Sequence, residues 1–195
     1  MATLQLAQDP EADRLLSESP LALLIGMVLD QQVPLEKAFR GPLDLVERLG
    51  GPLDAAAITA MDPEALSEAF AARPSLHRYP SSMAARVQDL CRVLVDEYGG
   101  DAAAVWTTAA DGEELRRRIQ ALPGFGEQKA RIFVALLGKQ LGVEPPGWRE
   151  AAGQFGADGS RLSVADIVDA TTLAEVRAHK QSMKAAKRAE VARSG

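Results

Sequence analysis

The chain has 195 residues, which is enough for one substantial hydrophobic core or for two small lobes. Hydrophobic residues make up 47% and charged residues 25%, the balance of a soluble globular protein, and no stretch reaches the roughly 20 apolar residues that a membrane span needs. The single cysteine, Cys91, excludes an internal disulfide framework and a cluster held by cysteines of this chain alone. The opening residues do not resemble a secretory signal, so we expect a cytoplasmic protein that does not bind membranes.

The net charge of −5 argues mildly against a nucleic-acid partner. Phosphate binding, however, needs a local basic surface and not a basic average. Acidic residues are concentrated early in the chain. Basic residues are concentrated in the middle and at the end, at Arg116, Arg117, Arg118, Lys129, Arg131, Lys139, Arg177, Lys180, Lys184, Lys187, Arg188 and Arg193. This asymmetry permits a DNA-facing side without proving one.

Helices are expected almost throughout, because Ala and Leu are abundant while β-branched and aromatic residues are sparse. In the first half, Ser19 is expected to cap an apolar helix over residues 20–32. Pro34 breaks this helix or begins the next one, which spans 35–50. Asp62 and a following proline start a short helix over 63–72.

In the second half, a proline-bounded loop leads to Ser82, the expected cap of a helix over 83–100. A helical hairpin is expected at about 111–140, with Asp111 opening its first helix, and one or two helices at about 160–192 close the fold. The pattern predicts an all-α protein that forms a single unit over 1–195.

The segment LPGFGEQKA, residues 122–130, carries the chemistry of the hairpin. Gly124 and Gly126 allow a tight turn between two helices, because glycine tolerates positive φ. The amides of the turn and of the next helix's first turn lack intrahelical partners and suit a phosphate oxygen. Such main-chain contacts read no base sequence. An ordinary corner between two helices would have the same sequence pattern.

Three segments in the same order resemble the helix-hairpin-helix DNA glycosylases, the superfamily of endonuclease III and the 3-methyladenine glycosylases. LPGFGEQKARIFVALLG is similar to the hairpin signature, MAARVQDLCRVLVDEYGG to the preceding helix, and LIGMVLDQQVPLEKAF to an early helix that ends in a glutamine-containing turn. The resemblance covers about residues 20–140. It implies a two-lobe helical fold that extrudes a target base from double-stranded DNA.

The resemblance also assigns residues. Gln32 matches the glutamine that enters the duplex where the target base leaves, although a solvent-exposed polar helix end explains it equally. The hairpin residues are expected to bind DNA: Leu122, Gly124, Phe125, Gly126, Gln128 and Lys129.

The loop before the Ser82 helix contains His77, Arg78 and Tyr79, which could border the base pocket or be purely structural.

Catalysis is where the chain departs from the family. In bifunctional members a lysine two places after the second hairpin glycine attacks the sugar, whereas this chain has Gln128 there and Lys129 beside it. Neighbouring positions of a helix point about 100° apart, so Lys129 cannot simply replace the family's lysine as the nucleophile. The family's aspartate is also missing from the loop that follows, where Glu144 and Glu150 are the nearest carboxylates and either could stabilise a cationic sugar. Glu144 could equally be a solvated loop residue.

The sequence therefore predicts a monofunctional DNA N-glycosylase of base excision repair, a hydrolase without lyase activity that acts as a monomer. The alternative is a non-catalytic DNA-binding or damage-sensing protein that retains the hairpin but lacks the catalytic aspartate. A helical protein unrelated to DNA is the third possibility, favoured only by the acidic net charge. We expect no metal and no iron–sulfur cluster, and the hairpin allows a monovalent cation.

Overall fold

The computed structural model describes residues 3–193, which form helices and connecting turns with no β-strand among them. The all-α prediction is confirmed. The helices are α1 (Pro10–Glu18), α2 (Pro20–Leu29), α3 (Leu35–Leu49), α4 (Ala55–Ala60), α5 (Pro63–Ala71), α6 (Pro80–Tyr98), α7 (Ala104–Thr107), α8 (Gly112–Ala121), α9 (Glu127–Leu141), α10 (Trp148–Ala152) and α11 (Ala170–Arg193). Short 3-10 helices lie at Gly153–Gly156 and Val164–Asp166.

Several helix starts are confirmed by side-chain caps. Ser19 accepts a hydrogen bond from the Ala22 amide at 3.2 Å, with proline at the first position of α2. Asp62 caps α5 and Asp111 caps α8 in the same way. These contacts involve residues two or three positions apart, so the local sequence is sufficient to predict them.

Other boundaries differ from the sequence expectation. α6 begins at Pro80 and not after Ser82, because the fixed φ of proline already suits a first helical turn. α2 ends at Leu29, three residues earlier than expected, and the residues up to Gln32 form a separate turn. The C-terminal region forms a 3-10 turn and then α11 as one continuous helix.

A contiguous hydrophobic core runs through the chain from Leu4 to Val176. α2 is buried on all sides, since every residue from Leu21 to Leu29 is buried, and it packs against α3 and α6. A helix that is apolar all round belongs inside a core. Both tryptophans are core residues, and Trp106 packs edge-on against Phe133 of α9 with ring centroids 5.8 Å apart.

The C-terminal end of α2, the turn between α8 and α9, and the first half of α6 meet at one place in the fold. A Cβ built at Gly124 in the turn would lie 3.0 Å from Val28 of α2 and 3.1 Å from Arg86 of α6. This meeting point positions the candidate site. Within residues 3–193, none of the helices is both long enough and apolar enough to cross a membrane.

Candidate functional site

The turn between α8 and α9 comprises residues 122–126. Leu122 and Phe125 are 2% and 5% exposed, so their side chains belong to the core and only their main chain can face a ligand. Gly124 has φ +91° and is tightly enclosed by Val28 and Arg86. Both the backbone conformation and the space therefore require glycine at this position.

Gly126 differs from Gly124. It precedes α9 with φ −85° and ψ 178°, a conformation open to any residue, and no described atom lies within 4 Å of a Cβ built there. The expectation that both glycines permit positive φ therefore holds for Gly124 alone. No side chain of residues 3–193 caps the start of α9, and Gly126, Glu127 and Gln128 are exposed. The first amides of α9 are accessible to an outside acceptor.

Lys129 lies in the first turn of α9 but turns inwards. Its Nζ donates a hydrogen bond of 2.6 Å to the carbonyl oxygen of Met27, near the C-terminus of α2. Burial, with smaller effects of Arg86 and Lys180, lowers the pKa of Lys129 to about 8, while the Asp30 carboxylate opposes this shift. The prediction that Lys129 binds DNA does not match this geometry, because its ammonium caps a helix end instead of extending towards solvent.

The neighbouring Gln31 has the same structural role. Its side-chain amide donates to the Val28 carbonyl at 3.0 Å, so Gln31 and Lys129 together satisfy carbonyl groups at the end of α2. Gln32, by contrast, is exposed and adopts φ +57°, which is uncommon for a residue other than glycine. Of the two glutamines, only Gln32 has an exposed side chain.

A cavity of about 520 Å³ opens beside Gln32. It is lined by the turn between α2 and α3 and by cationic side chains, and the lining residues are Asp30, Gln31, Gln32, Val33, Pro34, Arg78, Lys180 and Lys184. The Lys180 Nζ lies 3.7 Å from the Asp30 carboxylate, whose side chain is 16% exposed. Asp30 is the carboxylate in this lining, and sequence reasoning did not single it out.

The residues predicted to border a pocket separate into two groups. His77 is fully buried: its Nε2 donates to the Gln31 carbonyl at 2.7 Å, and its Nδ1 accepts from the Tyr79 amide at 3.0 Å. His77 therefore holds the turn between α2 and α3 through the Gln31 carbonyl and does not line the cavity. Arg78 does line the cavity, and its guanidinium lies 5.5 Å from the centroid of the half-exposed Tyr79 ring.

The predicted catalytic residues Glu144 and Glu150 are exposed. Glu144 lies in the loop past the opposite end of α9 from the turn, whereas Glu150 belongs to α10, which packs back along α9. A 15-residue helix is about 22 Å long. The loop that contains Glu144 continues to the start of α8, where the Gly112 amide donates to the Pro146 carbonyl at 2.8 Å. Neither glutamate lines the cavity beside Gln32, and Glu150 lines a separate one with Arg149 and Gly153, so a catalytic role of either residue stays a prediction.

Most of the basic residues in the middle of the chain are neutralised by neighbours. Arg116 pairs with Glu113 and Arg118 with Glu114, both at 2.6 Å, and Arg131 pairs with Glu127 at 2.8 Å. These pairs join residues three or four positions apart on exposed helix surfaces. These ion pairs therefore compensate the positive charge of three arginines that the sequence offered for DNA binding.

Three of the cations without a carboxylate partner lie at the turn or beside the cavity, whereas Arg14 on α1 and Arg117 on α8 also lack one among the described residues. Within residues 3–193, no carboxylate forms an ion pair with Arg78, Arg86 or Lys184. Arg86 lies along the α8–α9 turn, while Arg78 and Lys184 line the cavity beside Gln32. Arg78 also lines an adjacent cavity of about 760 Å³ together with Lys37 and Arg73. The result is a basic face on an acidic protein.

Comparison of the chain with protein-family models, with curated proteins and with solved structures finds no match. The function is therefore inferred from the chemistry of this site.

Proposed function

We propose that this protein binds double-stranded DNA through the α8–α9 turn and acts on a nucleotide extruded beside Gln32, as a monofunctional DNA N-glycosylase with a two-lobe helix-hairpin-helix fold. The observation that carries the proposal is the gathering of unpaired cations, Arg78, Arg86 and Lys184, around that turn and the adjoining cavity. Polyanions bind where uncompensated positive charge is concentrated, whatever the net charge of the protein.

The α8–α9 turn supplies the main-chain contacts to the backbone. The uncapped amides at the start of α9 and the positive end of its dipole suit a phosphate oxygen. The open space around Gly126 allows that oxygen to approach closely, and nothing within the described fold requires glycine there. Arg86 adds charge at the same turn. These contacts are independent of base sequence, as a protein that searches DNA requires.

Gln32 and the cavity supply the elements needed to hold an extruded nucleotide. An enzyme that acts on a stacked base must remove it from the duplex and fill the gap. Gln32 projects from a left-handed turn that His77 supports through the Gln31 carbonyl. The cavity of about 520 Å³ lies next to it.

The chemistry proposed at this cavity is hydrolysis of the N-glycosidic bond. The bond from C1′ to the base breaks, the base leaves with a proton, and water forms the new bond to C1′. Asp30 replaces Glu144 and Glu150 as the candidate carboxylate, since it lines the cavity and would stabilise positive charge on the sugar. Lys129 does not attack the sugar, because its amine is bonded to the Met27 carbonyl.

A non-catalytic damage sensor is the second candidate. It is favoured by the position of Glu144, which leaves the loop after α9 without a carboxylate near the turn. The two candidates share the DNA interface and differ only in whether a base is released.

The experiment compares wild type with Gly126→Asp and Asp30→Asn. Asp at position 126 would cap α9 and leave stability unchanged or raised by a few tenths of a kcal/mol, but its charge would repel phosphate. We expect DNA affinity to fall at least tenfold at moderate salt. Unchanged affinity in this folded variant would refute the interface.

A panel of duplexes with different damaged or mispaired bases then separates the two candidates. Wild-type base release that Asp30→Asn slows by orders of magnitude while sparing binding supports the glycosylase, since the substitution removes an interaction made only in the transition state. Salt-dependent binding without release of any base supports the sensor.

A further inference from the structure

Within residues 3–193, the C-terminal helix α11 buries side chains in the core only through its first turns. Thr172, Leu173 and Val176 are buried, whereas every residue from Lys180 to Arg193 is exposed. At 1.5 Å per residue this exposed part is about 21 Å long. A helix with no core to pack against is a poor source of stability, so its sequence is free to serve an interaction.

The charged residues of α11 are not scattered around the helix. At 100° per residue, all of its lysines and arginines except Arg193 fall within an arc of about 100°. That arc contains Arg177, Lys180, Lys184, Lys187 and Arg188. The same side of the helix carries the buried Leu173 and Val176. The face of α11 that packs against the core in its first turns is therefore the basic face in its later turns.

Two ion pairs hold this face against the site. Arg177 pairs with Glu36 at the start of α3, and Lys180 lies 3.7 Å from the Asp30 carboxylate. Lys184, one turn further, has no carboxylate partner within residues 3–193 and lines the cavity. Lys187 follows on the same face.

We propose that the exposed part of α11 is a second DNA-binding element, which contacts backbone phosphates on the side of the cavity that carries Lys184. This inference rests on the proposed function, because it extends the same interface. Lysines on flexible stems suit phosphates whose exact positions vary with sequence. The ion pairs with Glu36 and Asp30 direct the basic face of the helix towards the cavity before DNA arrives.

The test measures affinity for a labelled undamaged duplex over a range of salt concentrations. K184A/K187A removes two exposed cations from the basic face. R92A/R193A removes the same charge: Arg92 pairs with Asp89 on α6, and Arg193 lies on the opposite side of α11. The slope of log K against log salt is negative, and each phosphate that the protein no longer neutralises reduces its magnitude by about 0.9. We expect the magnitude to fall by about 2 in K184A/K187A and to stay unchanged in the control.

An unchanged slope in K184A/K187A, with salt-dependent binding by wild type that Gly126→Asp weakens, would overturn the role of α11 and leave the proposed function intact. Equal decreases of the slope's magnitude in K184A/K187A and R92A/R193A would also overturn it, since only total charge would then matter. Wild-type protein without salt-dependent DNA binding would refute both proposals together.

Discussion

Gln32→Gly is expected to stabilise the folded protein while weakening its action on DNA. Gln32 has φ +57°, and a left-handed conformation costs a residue with a Cβ roughly 1–2 kcal/mol. Glycine avoids that strain but loses roughly 0.5–1 kcal/mol more backbone entropy on folding. The exposed Gln32 side chain makes no hydrogen bond within residues 3–193, so its removal has little other effect on stability. The net gain in the free energy of unfolding is about 0.5–1 kcal/mol.

Gln8 provides a matched control, since it has φ +56° and is also exposed. Urea unfolding should show a similar gain, or a slightly smaller one, in Gln8→Gly, whose side chain donates to the Gln5 carbonyl. DNA binding and base release should fall in Gln32→Gly and remain at the wild-type level in Gln8→Gly. Conformational strain is tolerated at functional sites when the strained side chain is needed there.

Two outcomes would refute this reasoning. Destabilisation by Gln32→Gly would mean that the glutamine side chain supports the turn, so its conformation would be a structural requirement. Full DNA activity in a stabilised Gln32→Gly variant would mean that the exposed side chain does not enter the duplex. Either result would remove Gln32 from the proposed site.

Three further predictions concern Lys129 and the buried ion pair near the end of α9. Between pH 8 and 9 the free energy of unfolding of the wild-type protein should rise by about 1 kcal/mol in urea titrations. Burial lowers the pKa of Lys129 from 10.5 to about 8, so this lysine loses its proton at a lower pH in the folded state than in the unfolded state. Lys129→Met should abolish this gain. Asp166→Ala should cost about 3 kcal/mol in unfolding experiments, because it leaves the buried Lys139 ammonium without a carboxylate and with only the Ser160 hydroxyl as acceptor. Asp158→Ala at an exposed pair should cost less than about 1 kcal/mol. Borohydride should trap no adduct with DNA that contains an abasic site, since the Lys129 amine is held by Met27; an adduct that disappears in Lys129→Met would make the protein bifunctional.

The helices could be predicted because their signals are local. Ser19, Asp62 and Asp111 each cap a helix through amides two or three residues ahead, so neighbouring sequence contains the whole interaction. The same local signal, Asp9 before Pro10, starts α1 with a cap to the Ala12 amide, so this helix start is equally predictable. The α8–α9 turn was found for the same reason.

The direction of side chains in the site could not be predicted, because it depends on contacts between distant segments. Lys129 meets Met27 across 102 positions of sequence, and His77 meets Gln31 across 46. Gly124 and Gly126 look equivalent in LPGFG, yet only Gly124 is enclosed by other parts of the fold. Glu144 lies beyond the C-terminal end of α9, and the length of this helix separates Glu144 from the turn. Helix geometry alone is sufficient to predict this separation.

An acidic protein can bind DNA when its acids and its free cations lie on different parts of the surface. Here Asp9, Asp44 and Glu47 all pair with Arg40, so part of the acidic charge is compensated within the fold. At physiological salt, charges more than about 8 Å apart are largely screened. The net charge of −5 therefore opposes the approach of DNA only weakly, while the cations near the turn act at contact distance. Such an interface should depend on salt through its few phosphate contacts, and long-range attraction should contribute little to the rate of association.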